Sequence, residues 1–178
     1  MKTGFVAAAL GLCFALAGCF VSERPLFDAQ AGAPLWGRGK IVVSTVKQGE
    51  TDDETGQMEW RNGVYVETGK DDTGSISFHH LPGSGWFSPW YVGQTDSGGG
   101  SDPDGYMYIL YRKDGARLYS YDVSCSDLTD QEVAATHMVR NASGTECTAT
   151  RASDLGKAFV LLSKRKEADS YMTAAPAK

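Results

Sequence analysis

The sequence predicts a mainly β protein in which an antiparallel meander forms a barrel or a strongly curved sheet, with two short C-terminal helices and one disulfide. Short β-branched and aromatic runs bounded by turn residues predict strands at 41–46, 58–61, 64–68, 75–78 and 147–150. The clearest hairpin signal is the Asp114-Gly115 step between the apolar runs 106–111 and 117–123.

The strand predicted over 106–111 is apolar on both faces, because Tyr108 and Leu110 alternate with Met107 and Ile109. Burial on both sides favours a closed barrel, or a sheet packed under helices, over an open sheet with one solvated face.

A glycine and a proline are expected to interrupt the predicted strands. Gly63, between two runs, is interpreted as a bulge. Pro89 places the run 90–92 at a sheet edge or in a loop, because proline cannot donate to a strand ladder.

Helical spacing replaces strand spacing late in the chain. Thr129 and Glu132 have the spacing of a capping box, which predicts a short helix to about His137. A second helix is predicted to begin at Ser153 and to run to about Lys166, with apolar residues at helical intervals.

The chain begins with an apolar run that ends in Leu16-Ala17-Gly18-Cys19, with Lys2 near its start. This pattern resembles the lipobox signal peptide of bacterial lipoproteins, covering residues 1–18. The resemblance implies cleavage before Cys19 and attachment of fatty acyl chains such as palmitate to that residue. Phe20 stands where an inner-membrane lipoprotein usually has Asp, so the resemblance implies a lipid-anchored outer-membrane protein that faces the periplasm.

The alternative for the apolar run is a membrane-spanning helix that is not cleaved. Spanning needs about 20 apolar residues, and glycines at 11 and 18 with the polar residues from Ser22 onward shorten this run. The sequence therefore favours a cleaved signal.

The remaining chain of 160 residues is long enough for one domain with a buried core. We predict a tether over 19–35, a single β-rich domain over 36–168 and a disordered tail over 169–178. This arrangement resembles small uncharacterised lipoproteins of Gram-negative envelopes, which brings no function with it.

The predicted signal and anchor account for two of the four cysteines and leave the other two as a pair. Cys13 leaves with the signal and Cys19 takes the lipid, so Cys125 and Cys147 remain as a pair in the oxidising periplasm. A redox pair or a zinc site is the alternative, but the sequence has neither a Cys-x-x-Cys step nor a Cys/His set at zinc spacing. We therefore predict a structural disulfide.

The chain carries a formal net charge of −5. A negative net charge does not favour binding to nucleic acid, so we predict no nucleic-acid partner. His79 and His80 are neighbours that point to opposite faces of a strand, so they cannot chelate one metal together. The acidic runs 50–54 and 102–104 lack the spacing of a calcium loop. We predict no metal site and no cofactor.

The segment 86–91 is the candidate binding stretch, because Trp86, Phe87, Trp90 and Tyr91 are concentrated in six residues. Such aromatics supply rigid contact area for a partner, although they are also typical of a core. The sequence predicts a non-enzymatic binding domain for an envelope protein or a small apolar or sugar ligand. A cell-envelope hydrolase and a purely structural accessory lipoprotein remain alternatives.

Overall fold

The computed structural model describes residues 19–49, 54–68, 74–85, 87–96 and 105–177. Residues 1–18, which the sequence predicts as a signal peptide, lie outside the described residues, as do most of the two acidic runs and Trp86. No helix in the described part of the chain is long and apolar enough to cross a membrane.

The described chain is mainly β, with two α-helices and two short 3₁₀ turns. The helices are α1 (Asp130–Thr136) and α2 (Ala152–Leu162). The strands are β1 (Phe20–Ser22), β2 (Lys40–Lys47), β3 (Glu54–Arg61), β4 (Val64–Glu67), β5 (Ser75–His80), β6 (Trp90–Asp96), β7 (Tyr106–Asp114), β8 (Arg117–Tyr121), β9 (Val139–Arg140), β10 (Cys147–Thr148) and β11 (Ser170–Pro176).

Eight of these strands form a closed antiparallel barrel, as the sequence predicts. Strands β2 to β8 pair in sequence order, and β11 lies between β8 and β2 to close the ring. The short strands β1, β10 and β9 extend the sheet from the first half of β7. Each of the eight barrel strands has a neighbour on both sides, which removes the usual liability of an unpaired strand edge within the barrel.

Buried side chains form two cores on the two sides of the barrel wall. The interior cluster consists of Ile41, Val43, Met58, Tyr65, Ile76, Phe78, Tyr111 and Leu118. The outer cluster lies under the helices and includes Phe20, Val92, Leu110, Phe159 and Leu162. Strand β7 contributes Leu110 to the outer cluster and Tyr111 to the interior one, which confirms that it is apolar on both faces.

The turn at 62–63 and the strand after Pro89 differ from the sequence prediction. Asn62 and Gly63 both have positive φ, 49° and 94°, and connect the Arg61–Val64 pair, so they form a two-residue hairpin turn rather than a bulge. Pro89 does not demote the strand after it. It lies just before Trp90, and a proline before the first paired residue removes no hydrogen bond from the β6 ladder.

The segment predicted as a tether is packed on the barrel. Phe20 is fully buried, with its ring 5.1 Å from that of Phe159 in an edge-to-face contact. The side chain of Gln94 holds Phe27 by both backbone groups, accepting from its N–H at 3.0 Å and donating to its carbonyl at 3.1 Å. The prediction of a tether over 19–35 is therefore wrong, because paired backbone and buried aromatic rings fix this segment to the outer face.

The segment predicted as a disordered tail is also ordered. Residues 170–176 form β11, which pairs with β2 along its whole length and with β8 over Ser170–Thr173. The prediction of disorder is wrong for residues 169–177, because the neighbouring strands, rather than local propensity, fix this backbone; Lys178 lies outside the described residues.

The C-terminal helices and the disulfide agree with the predicted fold class. Thr129 and Glu132 form the predicted capping box at the start of α1. Helix α2 begins at Ala152, after Arg151, so Ser153 is not its cap. The sulfur atoms of Cys125 and Cys147 are bonded, 2.07 Å apart, and join the turn before α1 to β10.

Candidate functional site

The barrel interior contains a cavity of about 60 Å³ that is partly open to the surface. One buried water needs about 10–15 Å³, so the cavity has room for a few solvent molecules or one small group. Its lining is mostly apolar and consists of Trp36, Val43, Thr45, Gly56, Gln57, Met58, Glu67, Ile76, Phe78, Tyr111 and Met172. An eight-stranded barrel is wide enough either to fill with side chains or to hold one small ligand.

Trp36 lines the cavity and packs against two other aromatic rings. Its ring packs edge-on against Tyr65 and Phe78, with centroids 5.4 and 5.5 Å away. The Tyr65 hydroxyl accepts from the Trp36 backbone N–H at 2.9 Å and donates to the Gly37 carbonyl at 2.8 Å. Burial raises the pKa of Tyr65, which keeps this hydroxyl protonated as a donor. The contacts fix the Trp36 ring against the interior cluster.

The indole N–H of Trp36 is a buried donor with no acceptor among the described residues. A buried polar group without a partner costs roughly 1–3 kcal/mol. Trp36 is also one of the residues that line the cavity, so an acceptor on a bound molecule is one way to satisfy this donor. Glu67 also lines the cavity, and its carboxylate disfavours an anionic ligand.

Gly56 leaves space inside the barrel. It pairs with Val43 of the interior cluster, and no atom lies within 4 Å of the position that a Cβ would take there. The sequence does not predict a role for Gly56 or Trp36, because a lone glycine in a strand and a tryptophan before one carry no motif. The one signal for this site is the predicted barrel itself, since the interior of a barrel can hold a ligand.

The structure separates the residues of the candidate binding stretch. Phe87 is 98% exposed, whereas Trp90 and Tyr91 are half-buried in β6 on opposite faces of the wall. The Trp90 ring lies 5.0 Å from that of Tyr121, and the Tyr91 ring 4.6 Å from that of His80. Recognition by this stretch stays a prediction for Phe87, while Trp90 and Tyr91 contribute to packing.

The two neighbouring histidines point to opposite sides of β5. His79 is buried on the outer face, with its Nε2 atom 3.0 Å from the Ser77 hydroxyl and its ring stacked on Phe27. Burial lowers the pKa of His79 to about 4, although the negative charge of Asp28 acts in the opposite direction. The imidazole is therefore neutral at pH 7, and its serine partner is buried with it.

Cys19 lies at the start of the described chain, half-buried, with its carbonyl accepting from the Cys147 N–H at 3.0 Å. Within the described residues, no group of three or more His, Cys, Asp or Glu side chains is placed to hold a metal ion.

No protein-family model, no curated protein and no solved structure matches this chain.

Proposed function

We propose that this chain is a lipoprotein anchored through Cys19 to the outer membrane, facing the periplasm, and that its barrel binds a small apolar ligand without catalysing a reaction. The observation that carries the proposal is the cavity of about 60 Å³ with its apolar lining and the unpaired Trp36 N–H. Mostly apolar sites with a few polar groups are typical of small-molecule binding.

The lining indicates the chemistry of the ligand. Burial of its apolar body in the interior cluster supplies most of the free energy, at about 25 cal/mol per Å². The Trp36 N–H favours a neutral acceptor such as a carbonyl or ether oxygen, and Glu67 disfavours a carboxylate. The ligand class is therefore a neutral, mainly apolar molecule with one hydrogen-bond acceptor, of which at least one small group enters the cavity.

Binding can be tested with two probes of similar size, cyclohexanone and cyclohexane, by saturation-transfer NMR on the folded chain. Cyclohexanone should bind more tightly than cyclohexane. Trp36→Phe keeps an aromatic ring and removes the N–H, so it should weaken cyclohexanone by about 2–10-fold, as expected for one hydrogen bond. The same substitution should leave the binding of cyclohexane unchanged.

Gly56→Leu supplies the second arm of this experiment, because its side chain would occupy the free space next to Gly56. It should abolish binding of both probes, with Gly56→Ala as a milder version. Thr55→Leu is the matched control, since Thr55 is exposed on the opposite face of the same strand. Equal binding of cyclohexanone to the native chain and to a folded Gly56→Leu chain would place the site elsewhere and contradict the proposal.

The anchor has its own test. Cys19→Ala, with residues 1–18 replaced by a secretory signal whose cleavage needs no cysteine, removes the acylated thiol and should move the protein from the outer-membrane fraction to the soluble periplasmic fraction, with its thermal transition near that of the native domain. Two or more acyl chains are needed for a stable anchor. Tight membrane association of the Cys19→Ala protein would contradict lipidation at this residue.

A further inference from the structure

A row of aromatic and arginine side chains crosses the outer face of the barrel on four neighbouring strands. Strand pairing sets Trp90 of β6 opposite Arg112 of β7. Arg112 in turn lies opposite Tyr119 of β8, and Tyr119 lies opposite Tyr171 of β11. Neighbouring strands are about 4.8 Å apart, so these four residues span about 15 Å. We call them, together with Arg117 on the same face of β8, the arginine–tyrosine row.

The tyrosine rings hold the two arginine side chains in place. The Cζ atom of Arg112 lies 5.1 Å from the ring centroid of Tyr119. The Cζ atom of Arg117 lies 4.8 Å from the ring centroid of Tyr171, and its Nη1 atom is 3.5 Å from the Tyr119 hydroxyl. The centroids of the two tyrosine rings are 5.9 Å apart. Such cation–π contacts orient both guanidiniums in advance, so less conformational entropy is lost when a partner binds them.

Neither guanidinium has a carboxylate partner. None of the ion pairs in the described part of the chain includes Arg112 or Arg117. The Nε atom of Arg112 is also a buried donor without an acceptor among the described residues. Asp114 lies opposite Arg117 in the β7–β8 ladder, but the two do not form an ion pair. A carboxylate is the usual bidentate partner of a guanidinium, so the row favours an acidic group.

An exposed phenylalanine lies beside the β6 end of the row. Phe87 is 98% exposed, more than any other large apolar side chain in the described chain. The Pro89 carbonyl accepts from the Lys113 N–H at 2.8 Å. Lys113 follows Arg112, so the chain at Pro89 lies beside the row. Phe87 is two residues from Pro89 and therefore at most about 7 Å from it. The row and Phe87 thus form one surface.

The composition of this surface is typical of a protein-binding site. Tryptophan, tyrosine and arginine carry most of the binding energy at protein interfaces, and phenylalanine is also enriched there. Nucleic acid and anionic membranes favour a broad positive patch, whereas this chain is acidic and has Asp114 next to the row. A width of about 15 Å suits an extended segment of about five residues, at about 3.3 Å for each.

We infer that Phe87 and the arginine–tyrosine row bind a protein partner through an extended segment that carries an apolar side chain and an aspartate or glutamate near it. The apolar side chain packs against Phe87 and Trp90, and the carboxylate pairs with the arginines. This binding is separate from the cavity and goes beyond the proposed binding of a small apolar ligand.

The test is a selection on the folded chain from a phage-displayed library of random peptides. The enriched peptides should share an apolar residue and an aspartate or glutamate. Arg117→Glu should weaken their binding by about 10-fold or more, and Phe87→Ala by a similar factor. Asp114→Asn removes the carboxylate opposite Arg117 and should tighten binding by about two- to fivefold.

Arg24→Glu is the matched control, because Arg24 is exposed and its replacement changes the charge by the same amount. It should leave peptide binding unchanged, as should Trp36→Phe in the cavity, so the result does not depend on the proposed ligand.

Three results would overturn the inference: no enriched peptide, a consensus without aspartate or glutamate, or equal binding to the native chain and to a folded Arg117→Glu chain. Binding of sulfated dextran or of phosphatidylglycerol vesicles in the absence of any selected peptide would assign the row to another class of anionic partner, and would overturn it as well.

Discussion

The ring of Phe27 stacks on the imidazole of His79, with centroids 4.7 Å apart and planes inclined by 14°. This contact joins the segment after Cys19 to the barrel wall and covers a histidine that is 7% exposed. Burial lowers the pKa of His79 to about 4. The covered histidine therefore makes the stability of the domain depend on pH.

Acidification should destabilise the fold through His79. Its pKa of about 4 in the folded chain is below the roughly 6.5 of an unfolded histidine, so the unfolded state binds more protons between these values. The free energy of unfolding keeps its full value, as far as His79 is concerned, above about pH 6.5. It decreases by roughly 3 kcal/mol as the pH falls toward 4. Asp28 and Ser77 are the groups that face the ring.

Urea unfolding at pH 7.0 and 4.5 measures this loss, and His79→Gln should reduce the difference between the two pH values. His80→Gln is the matched control, because His80 is the exposed neighbour on the other face. If the two variants keep the same pH dependence as the native chain, His79 is not the group responsible.

Gly93→Ala should destabilise the barrel by about 1–3 kcal/mol, the usual cost of overpacking. A Cβ at Gly93 would lie 2.5 Å from Cε2 of Tyr111 and 3.0 Å from Cδ1 of Ile76, both buried in the interior cluster. Denaturant midpoints check this, with Gly56→Ala as a control that meets no atom within 4 Å. Equal midpoints for Gly93→Ala and the native chain would contradict this prediction and would mean that the Tyr111 ring can move to a position that avoids the added Cβ.

Phe87→Ala and Trp90→Ala should have different consequences. Phe87 is 98% exposed, so its truncation should change stability by less than about 0.5 kcal/mol. Trp90 is half-buried against Tyr121, and its truncation should cost about 2 kcal/mol, below the cost for a fully buried tryptophan.

A protein partner that contacts Phe87 should be captured from envelope extracts by the native chain and not by the Phe87→Ala variant. A large loss of stability in Phe87→Ala would instead contradict the exposure of this side chain.

Loss of the disulfide should destabilise the domain by about 3 kcal/mol, because the bond between Cys125 and Cys147 closes a loop of 22 residues. The double variant Cys125→Ala with Cys147→Ala checks this by thermal unfolding. Peptide mapping without reductant, on protein purified from its native host, should recover the two cysteines as one linked pair. Recovery of two free thiols would show that the bond does not form in the cell.

Most of the fold could be predicted from the sequence because its signals are local. The Asp114-Gly115 step marks the β7–β8 hairpin, and Thr129 with Glu132 marks the start of α1. The cysteine pair follows from the compartment that the sequence predicts and from elimination of the other two cysteines. Each of these features depends on a few neighbouring residues, or on a simple count, so no knowledge of the tertiary structure was needed.

The rest could not be predicted because it depends on partners distant in sequence. Strand β1 has only three residues, too few for a period, and is held by β7 and β10. Strand β11 ends in Ala174, Ala175 and Pro176, which have low strand propensity, and it is fixed by neighbours on both sides. The same is true of the cavity, since Trp36 and Gly56 become neighbours only when the barrel closes.

The position of β11 as the closing strand sets an order of events for a chain that is made from its N-terminus to its C-terminus. Lys47 and Ser170 pair although they are 123 residues apart, so β2 must wait for nearly the whole domain to emerge before it finds its second neighbour. Contacts this distant slow folding. Until residues 170–176 arrive, β2 and β8 each present an unpaired edge to other chains. The interval between the synthesis of β2 and the arrival of β11 is thus the period in which unpaired strand edges are most open to aggregation, and the barrel cavity exists only after that interval ends.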